Sequence, residues 1–387
     1  MNQRFTPPHR NNDKQCKILP KEFEGHYYWL DLIRFLAAFA VMACHFRGAL
    51  FVDYSSLPSD QQNPLIFIFF ILTRLGFESV LIFFVLSGLL VGGKAMKRLS
   101  SGNFKITDYV VDRAVRIILP LISSLLFYLP IAYFCGYSIN PLNWIGTLFS
   151  LQGIVTSWPY ETLWSLSYEV WFYIVMFAVA LILKQNIKAY YIGFIVITIC
   201  MLVFTKLKAN LLFVWFLGAL AFYKMPTKNN TVLLTSFVIS IFLVALLQFK
   251  SGTHFTEGQI ENDEVIRSVA IIAFGFSFGL FLQQIIQCRP RKAILLKLNE
   301  WGTKLAAFSY TLYLSHIPVL RLLESLGAPK SPNLNPVSIL FYICSMGVAM
   351  LVAFGLYWFF ERNTGLVKKY IKIKINILKL KSKDITS

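Results

Sequence analysis

The sequence predicts an all-α protein that crosses a membrane about ten times and keeps both ends in the cytoplasm. Three observations carry this. Hydrophobic residues make up 56% of the 387 and charged residues only 14%, which is not the balance of a water-soluble domain. The apolar residues gather into ten runs near the length a helix needs to cross the ~30 Å hydrocarbon layer. The bases fall on alternate sides. With the N-terminus inside, 28 of the 37 Lys and Arg residues lie in inner segments, eight lie outside or at span ends, and Arg34 lies within the first span.

In chain order the spans are expected near 29–49, 77–93, 115–135, 164–184, 189–205, 209–223, 231–248, 267–286, 305–323 and 337–360. The first follows a polar, Pro-containing stretch without the form of a cleavable signal, so it is expected to act as its own insertion signal. An extra apolar helix is expected over 64–75, too short to cross and bounded by Arg74 and Gly76. Gly136 to Ser165 contains no Lys or Arg, as an outer loop should. The span over 209–223 is the shortest. Residues 1–28 read as an inner tail, 29–362 as one membrane domain and 363–387 as a basic inner tail. In that tail Lys alternates with Ile, Leu and Val from Leu366 to Leu380, a pattern suited to an interfacial amphipathic segment.

The net charge of +18 would also suit a nucleic-acid partner. The bases are spread over inner loops and the tail, however, so topology and contact with anionic membrane lipids account for them and no nucleic acid is expected. Six scattered cysteines show no CxxC or CxxH spacing, so no metal site is expected.

Ionisable residues within spans are costly and are usually kept for function. They sort into two layers. Arg34 lies a turn and a half into the first span, and Arg113 and Arg116 precede the third. Three residues apart, Arg113 and Arg116 share a helix face and suit a phosphate or diphosphate; by spacing alone they serve equally as an inner-leaflet anchor. Toward the outside lie His45, Glu169 and His316. A carboxylate beside an imidazole fixes its tautomer and suits it to take a proton from a hydroxyl. Arg34 and His45, eleven residues apart, share one helix face about 16 Å apart along the axis. Tyr310 and Tyr313, one turn apart, are placed to line a tunnel, to orient an acceptor or simply to pack. Ser87 is expected to serve helix packing rather than nucleophilic attack, because no base is fixed beside it by sequence.

Six motifs in order carry a resemblance. They are Leu30-Asp31 to Arg34 with His45, Phe83-Phe84-Val85-Leu86-Ser87-Gly88, Arg113 with Arg116, Trp164-Ser165-Leu166-Ser167-Tyr168-Glu169-Val170-Trp171-Phe172-Tyr173, Ser309-Tyr310-Thr311-Leu312-Tyr313-Leu314-Ser315-His316, and Phe360-Glu361-Arg362. Together they resemble the acyltransferase-3 family of integral membrane acyltransferases. The family often has two adjacent glutamates where this chain has Glu169 and Val170, so one carboxylate stands here in place of two. Some members carry a C-terminal extracytoplasmic esterase-like domain; this chain ends too soon for one and is expected to act alone or with a separate partner.

The resemblance implies transfer of an acyl group, usually acetyl from acetyl-CoA, to a hydroxyl of a cell-envelope glycan or lipid-linked glycan, at an inner or plasma membrane. Read with the two layers, it implies that Arg34, Arg113 and Arg116 hold acyl-CoA phosphates. His45 then acts as general base, oriented by Glu169 or His316, while Tyr310 and Tyr313 line the acceptor path. Without the motifs, a transporter or flippase for a glycan or lipid intermediate would be the preferred reading of the same charges; the order of the motifs makes a membrane scaffold the least favoured.

Overall fold

The structure, a computed structural model, describes residues 27, 29–184, 186–223, 227–250, 260–328 and 330–384, with only the backbone given for 249–250, 260–263 and 379–384. Apart from Tyr27, the expected inner tail 1–28 therefore lies outside the described residues. No strand forms among them; the only bridges are two isolated ones, Phe51 with Ser331 and Gln152 with Thr156.

Among the described residues fifteen α-helices follow one another. α1 (Leu30–Leu50) is followed by the short α2 (Pro64–Leu72), whose first turn is capped by the Asn63 side chain. α3 (Gly76–Ser87) continues through a π-helical turn, Gly88–Gly93, into α4 (Lys94–Ser100). α5 (Ile106–Phe134) starts well before its expected span, so Arg113 and Arg116 lie within the helix rather than ahead of it. α6 (Pro141–Leu148), α7 (Trp164–Ile182), α8 (Ile187–Val203), α9 (Ala209–Tyr223), α10 (Asn230–Lys250) and α11 (Ile260–Ile285) come next. α12 (Ala293–Ala306), α13 (Ser309–Ser325), α14 (Pro336–Phe359) and α15 (Thr364–Asp384) complete the chain.

Among the described residues seven helical stretches are long and apolar enough to cross a membrane by length and composition. The other three expected spans coincide with the shorter helices α8, α9 and α13. The break at Ala307 and Phe308 divides the expected ninth span from the preceding turn, which belongs to the separate amphipathic α12.

Close packing is what lets short helices serve. A Cβ on Gly88 would lie 2.0 Å from the Trp215 carbonyl oxygen, and one on Gly218 2.3 Å from that of Val85. The π turn and α9 thus meet backbone to backbone, an approach open only to glycine. α12 turns Asn299, Gly302 and Ala306 toward the start of α1. Trp29, which begins α1 at a φ of 72°, donates its backbone N–H to Asn299 Oδ1 at 2.8 Å and its indole N–H to the Cys288 carbonyl at 2.9 Å. This clamp fixes the helix end that carries Arg34.

Proline shapes α13. Pro318 has no N–H for the Leu314 carbonyl, and Ser124 Oγ donates to that oxygen instead, at 2.8 Å, while bonded to the Tyr160 hydroxyl at 2.7 Å. The irregular turn is therefore satisfied from α5, and the helix segment around His316 is fully enclosed.

Candidate active site

A cavity of about 360 Å³ lies among α1, α3, α4, α5, α7 and α13. Six of the eight residues singled out from sequence line it: Arg34, Arg113, Arg116, Glu169, Tyr310 and Tyr313. Lys94 and Arg98 join them, giving five cations against the carboxylates of Asp112 and Glu169. Arg34 is bonded to Asp31 at 3.1 Å. Arg113 stands over the Tyr173 ring, 5.8 Å from its centre. Among the described residues neither Arg113 nor Arg116 has a carboxylate within ion-pair distance, so both guanidiniums remain free to take an anion.

Glu169 does not stand with the histidines. The segment before α7 explains why: Thr147, Gln152 and Leu163 are all fully buried, and Ser150 O accepts from both Ser167 Oγ and the Trp171 indole. The start of α7 is therefore tucked beneath this segment, and counting residues from an assumed outer surface places Glu169 too far out. Its carboxylate instead accepts from the Tyr173 hydroxyl at 2.5 Å. Because that phenol has a single proton to give, its 3.0 Å bond to Ser87 must be donated by the serine. The Trp215 indole N–H in turn donates to Ser87 Oγ at 3.1 Å. A directed chain of hydrogen bonds runs from Trp215 through Ser87 and Tyr173 to Glu169.

His45 and His316 form the second part of the site, with ring centres 5.3 Å apart. Neither lines the cavity. His316 is wholly buried, and its Nδ1 lies 3.0 Å from the Leu312 carbonyl. A carbonyl only accepts, so Nδ1 carries the proton and Nε2 the lone pair; Nε2 is buried without a partner. His45 is half-buried.

Tyr313 joins the two parts. Its ring packs 5.6 Å from Phe83 at the cavity wall and 6.1 Å from His316 behind it. Its hydroxyl is tied to Ser165 Oγ at 2.6 Å and to the Thr162 carbonyl at 3.1 Å. The Tyr310 hydroxyl is buried without a partner.

The acyltransferase-3 family profile, described as an acyltransferase domain, matches residues 27–358. The chain belongs to the acyltransferase-3 family. No curated protein and no solved structure matches it. It is a multi-pass membrane acyltransferase, and the matched stretch contains the whole cavity and both histidines.

Several residues of this acyltransferase site were not singled out from sequence. Lys94 and Arg98 read as ordinary inner-side charges, and only their spacing of four, on one helix face, hinted at a shared surface. Tyr173 follows Glu169 by four and faces it for the same reason. Outside the cavity lining, Glu361 accepts from Thr311 Oγ1 at 2.5 Å and Arg362 lies over the Trp358 ring at 3.9 Å. Among the described residues no group of three His, Cys, Asp or Glu side chains comes together to hold a metal.

Proposed function

We propose that this acyltransferase moves an acetyl group from acetyl-CoA to a hydroxyl of a cell-envelope glycan, such as an O-antigen, capsule or exopolysaccharide, from within an inner or plasma membrane. The observation that carries the reading is the pair of uncommitted guanidiniums, Arg113 and Arg116, in one cavity with Arg34. Planar forks of this kind suit diphosphate and phosphate oxygens, and acyl-CoA offers both beside its thioester. The inner end of the site faces the cytoplasm, where the positive-inside count puts the arginines and both termini.

The histidine pair supplies the chemistry. His45, half-buried, takes the proton from the acceptor hydroxyl, and the resulting alkoxide character attacks the thioester carbonyl carbon. A C–O bond forms, the C–S bond breaks, and the CoA thiolate leaves, taking up a proton from the imidazolium. His316 holds the second imidazole position with its tautomer set by Leu312. Glu169, held by Tyr173, keeps the far end of the arginine cluster from carrying unbalanced charge. Tyr310 offers a hydroxyl to the donor's amide-rich arm.

Labelled acetyl-CoA, purified protein in detergent and an envelope glycan test this together. Acceptor-dependent CoA release is expected from the wild type, a KM for acetyl-CoA raised at least tenfold from Arg113→Ala with Arg116→Ala, and release slowed by about 10²–10⁴-fold in His45→Ala at normal expression. Glycan movement without CoA release would overturn the reading in favour of transport.

A further inference from the structure

Beyond the matched residues 27–358 the chain carries one further helix, α15. Its half-buried positions, Val367, Lys368, Ile371, Lys372 and Ile375, recur at helical spacing and form one stripe. The stripe lies on α5. Lys372 Nζ stands 3.0 Å from Asp108 and 3.5 Å from Asp112, and Lys368 Nζ 3.6 Å from Asp112. Asp112 is a wall residue of the cavity and the immediate neighbour of Arg113. Lys368 also lies within electrostatic reach of Arg113 and Arg116.

These ion pairs do little for stability. Their side chains are 29% to 43% exposed, and pairs of that kind contribute at most about 1 kcal/mol each. Their effect on an incoming anion is another matter. An unpaired Asp112 carboxylate would compete for the Arg113 guanidinium and repel a phosphate at the same mouth.

We propose that Lys368 and Lys372 are positioning residues of the donor-phosphate site, supplied from outside the family domain: they neutralise Asp108 and Asp112 and add positive charge beside Arg113 and Arg116. This rests on acyl-CoA being the donor. The lysines select for the phosphorylated part of that donor and have no bearing on its thioester.

The test uses the full chain in detergent, with Lys368→Ala and Lys372→Ala combined, and two donors: acetyl-CoA and acetyl-pantetheine, which carries the same thioester and no phosphate. Acetyl-CoA is expected to bind about tenfold more weakly to the variant, as expected from two exposed charge contacts, with the gap narrowing at high salt. Turnover of acetyl-pantetheine is expected to be unchanged, which also shows that the variant is folded. Adding Asp112→Asn is expected to bring acetyl-CoA affinity back toward wild type. Unchanged acetyl-CoA affinity overturns the inference, and so does an equal loss with both donors, which marks α15 as purely structural. A wild type that binds no acetyl-CoA overturns the donor reading and the inference with it.

Discussion

His45 on α1 and His316 on α13 face each other with ring centres 5.3 Å apart, one half-open and the other sealed. Two imidazoles so placed differ in role. The sealed ring is fixed by Leu312 and cannot turn to meet a large acceptor, whereas the half-open ring can. Replacing His45 with Ala is expected to lower the rate of CoA release by about 10²–10⁴-fold, the usual contribution of a general base. His316→Ala is expected to cost less in rate and more in stability, because it leaves a void in a fully packed helix. Release rates and melting temperatures of the two purified variants check this, and a greater rate loss in His316→Ala would reverse the assignment.

Ser87 sits in a chain of donors aimed at Glu169, with its proton already given to Tyr173. Because its acceptor is a phenol and not a base, Ser87 is expected not to carry the acyl group. Ser87→Ala is expected to retain acyl transfer, and intact-protein mass spectrometry of the wild type with acetyl-CoA is expected to find no serine ester. Tyr173→Phe takes a partner from both the half-buried Ser87 hydroxyl and the Glu169 carboxylate, and a hydrogen bond to a charged group contributes about 1.5–3 kcal/mol. It should therefore melt well below Ser87→Ala.

The backbone contact between the π turn and α9 leaves no room for a methyl group. Gly88→Ala and Gly218→Ala both drive a Cβ into a facing carbonyl, at 2.0 Å and 2.3 Å. Neither side can yield by a rotamer change. Both variants are expected to lose most of their folded yield on size-exclusion chromatography, whereas Gly347→Ala, where nothing lies within 4 Å, is expected to behave as wild type.

Ser124 supplies the hydrogen bond that Pro318 takes from α13. Ser124→Ala leaves the Leu314 carbonyl buried and unpaired, at a cost of about 1–3 kcal/mol. A lowered melting temperature is expected in Ser124→Ala, and much less of a drop when Pro318→Ala is added, since that N–H restores the helical bond. Equal melting of the single and double variants would show that the serine bond does not serve the proline.

The sequence carried the helices and most of the site because both obey simple periodicities. Arg113 and Arg116 at a spacing of three, and Tyr310 and Tyr313 at the same spacing, line one cavity as their shared faces require. Arg34 and His45 were legible as one face of α1, yet only Arg34 lines the cavity, whose wall at Phe83 and Tyr313 comes from other helices. Depth was the weak point. Counting along α7 assumes that it starts at the membrane surface, and the buried loop with Ser150 and Gln152 removes that assumption. The bonds of Asp112 to Lys368 and Lys372 were hidden for another reason: they join segments more than 250 residues apart, and no local pattern records such a pairing.

Tyr313 and Phe83 have a consequence for economy of the donor. A thioester is also open to hydrolysis, and a base that activates an alcohol will equally activate water. With His45 and His316 outside the cavity lining, a thioester meets an imidazole only once it has passed the aromatic pair. Idle enzyme should therefore leave its thioester intact, and leakage to free acetate should rise when Tyr313 is cut back to Ala.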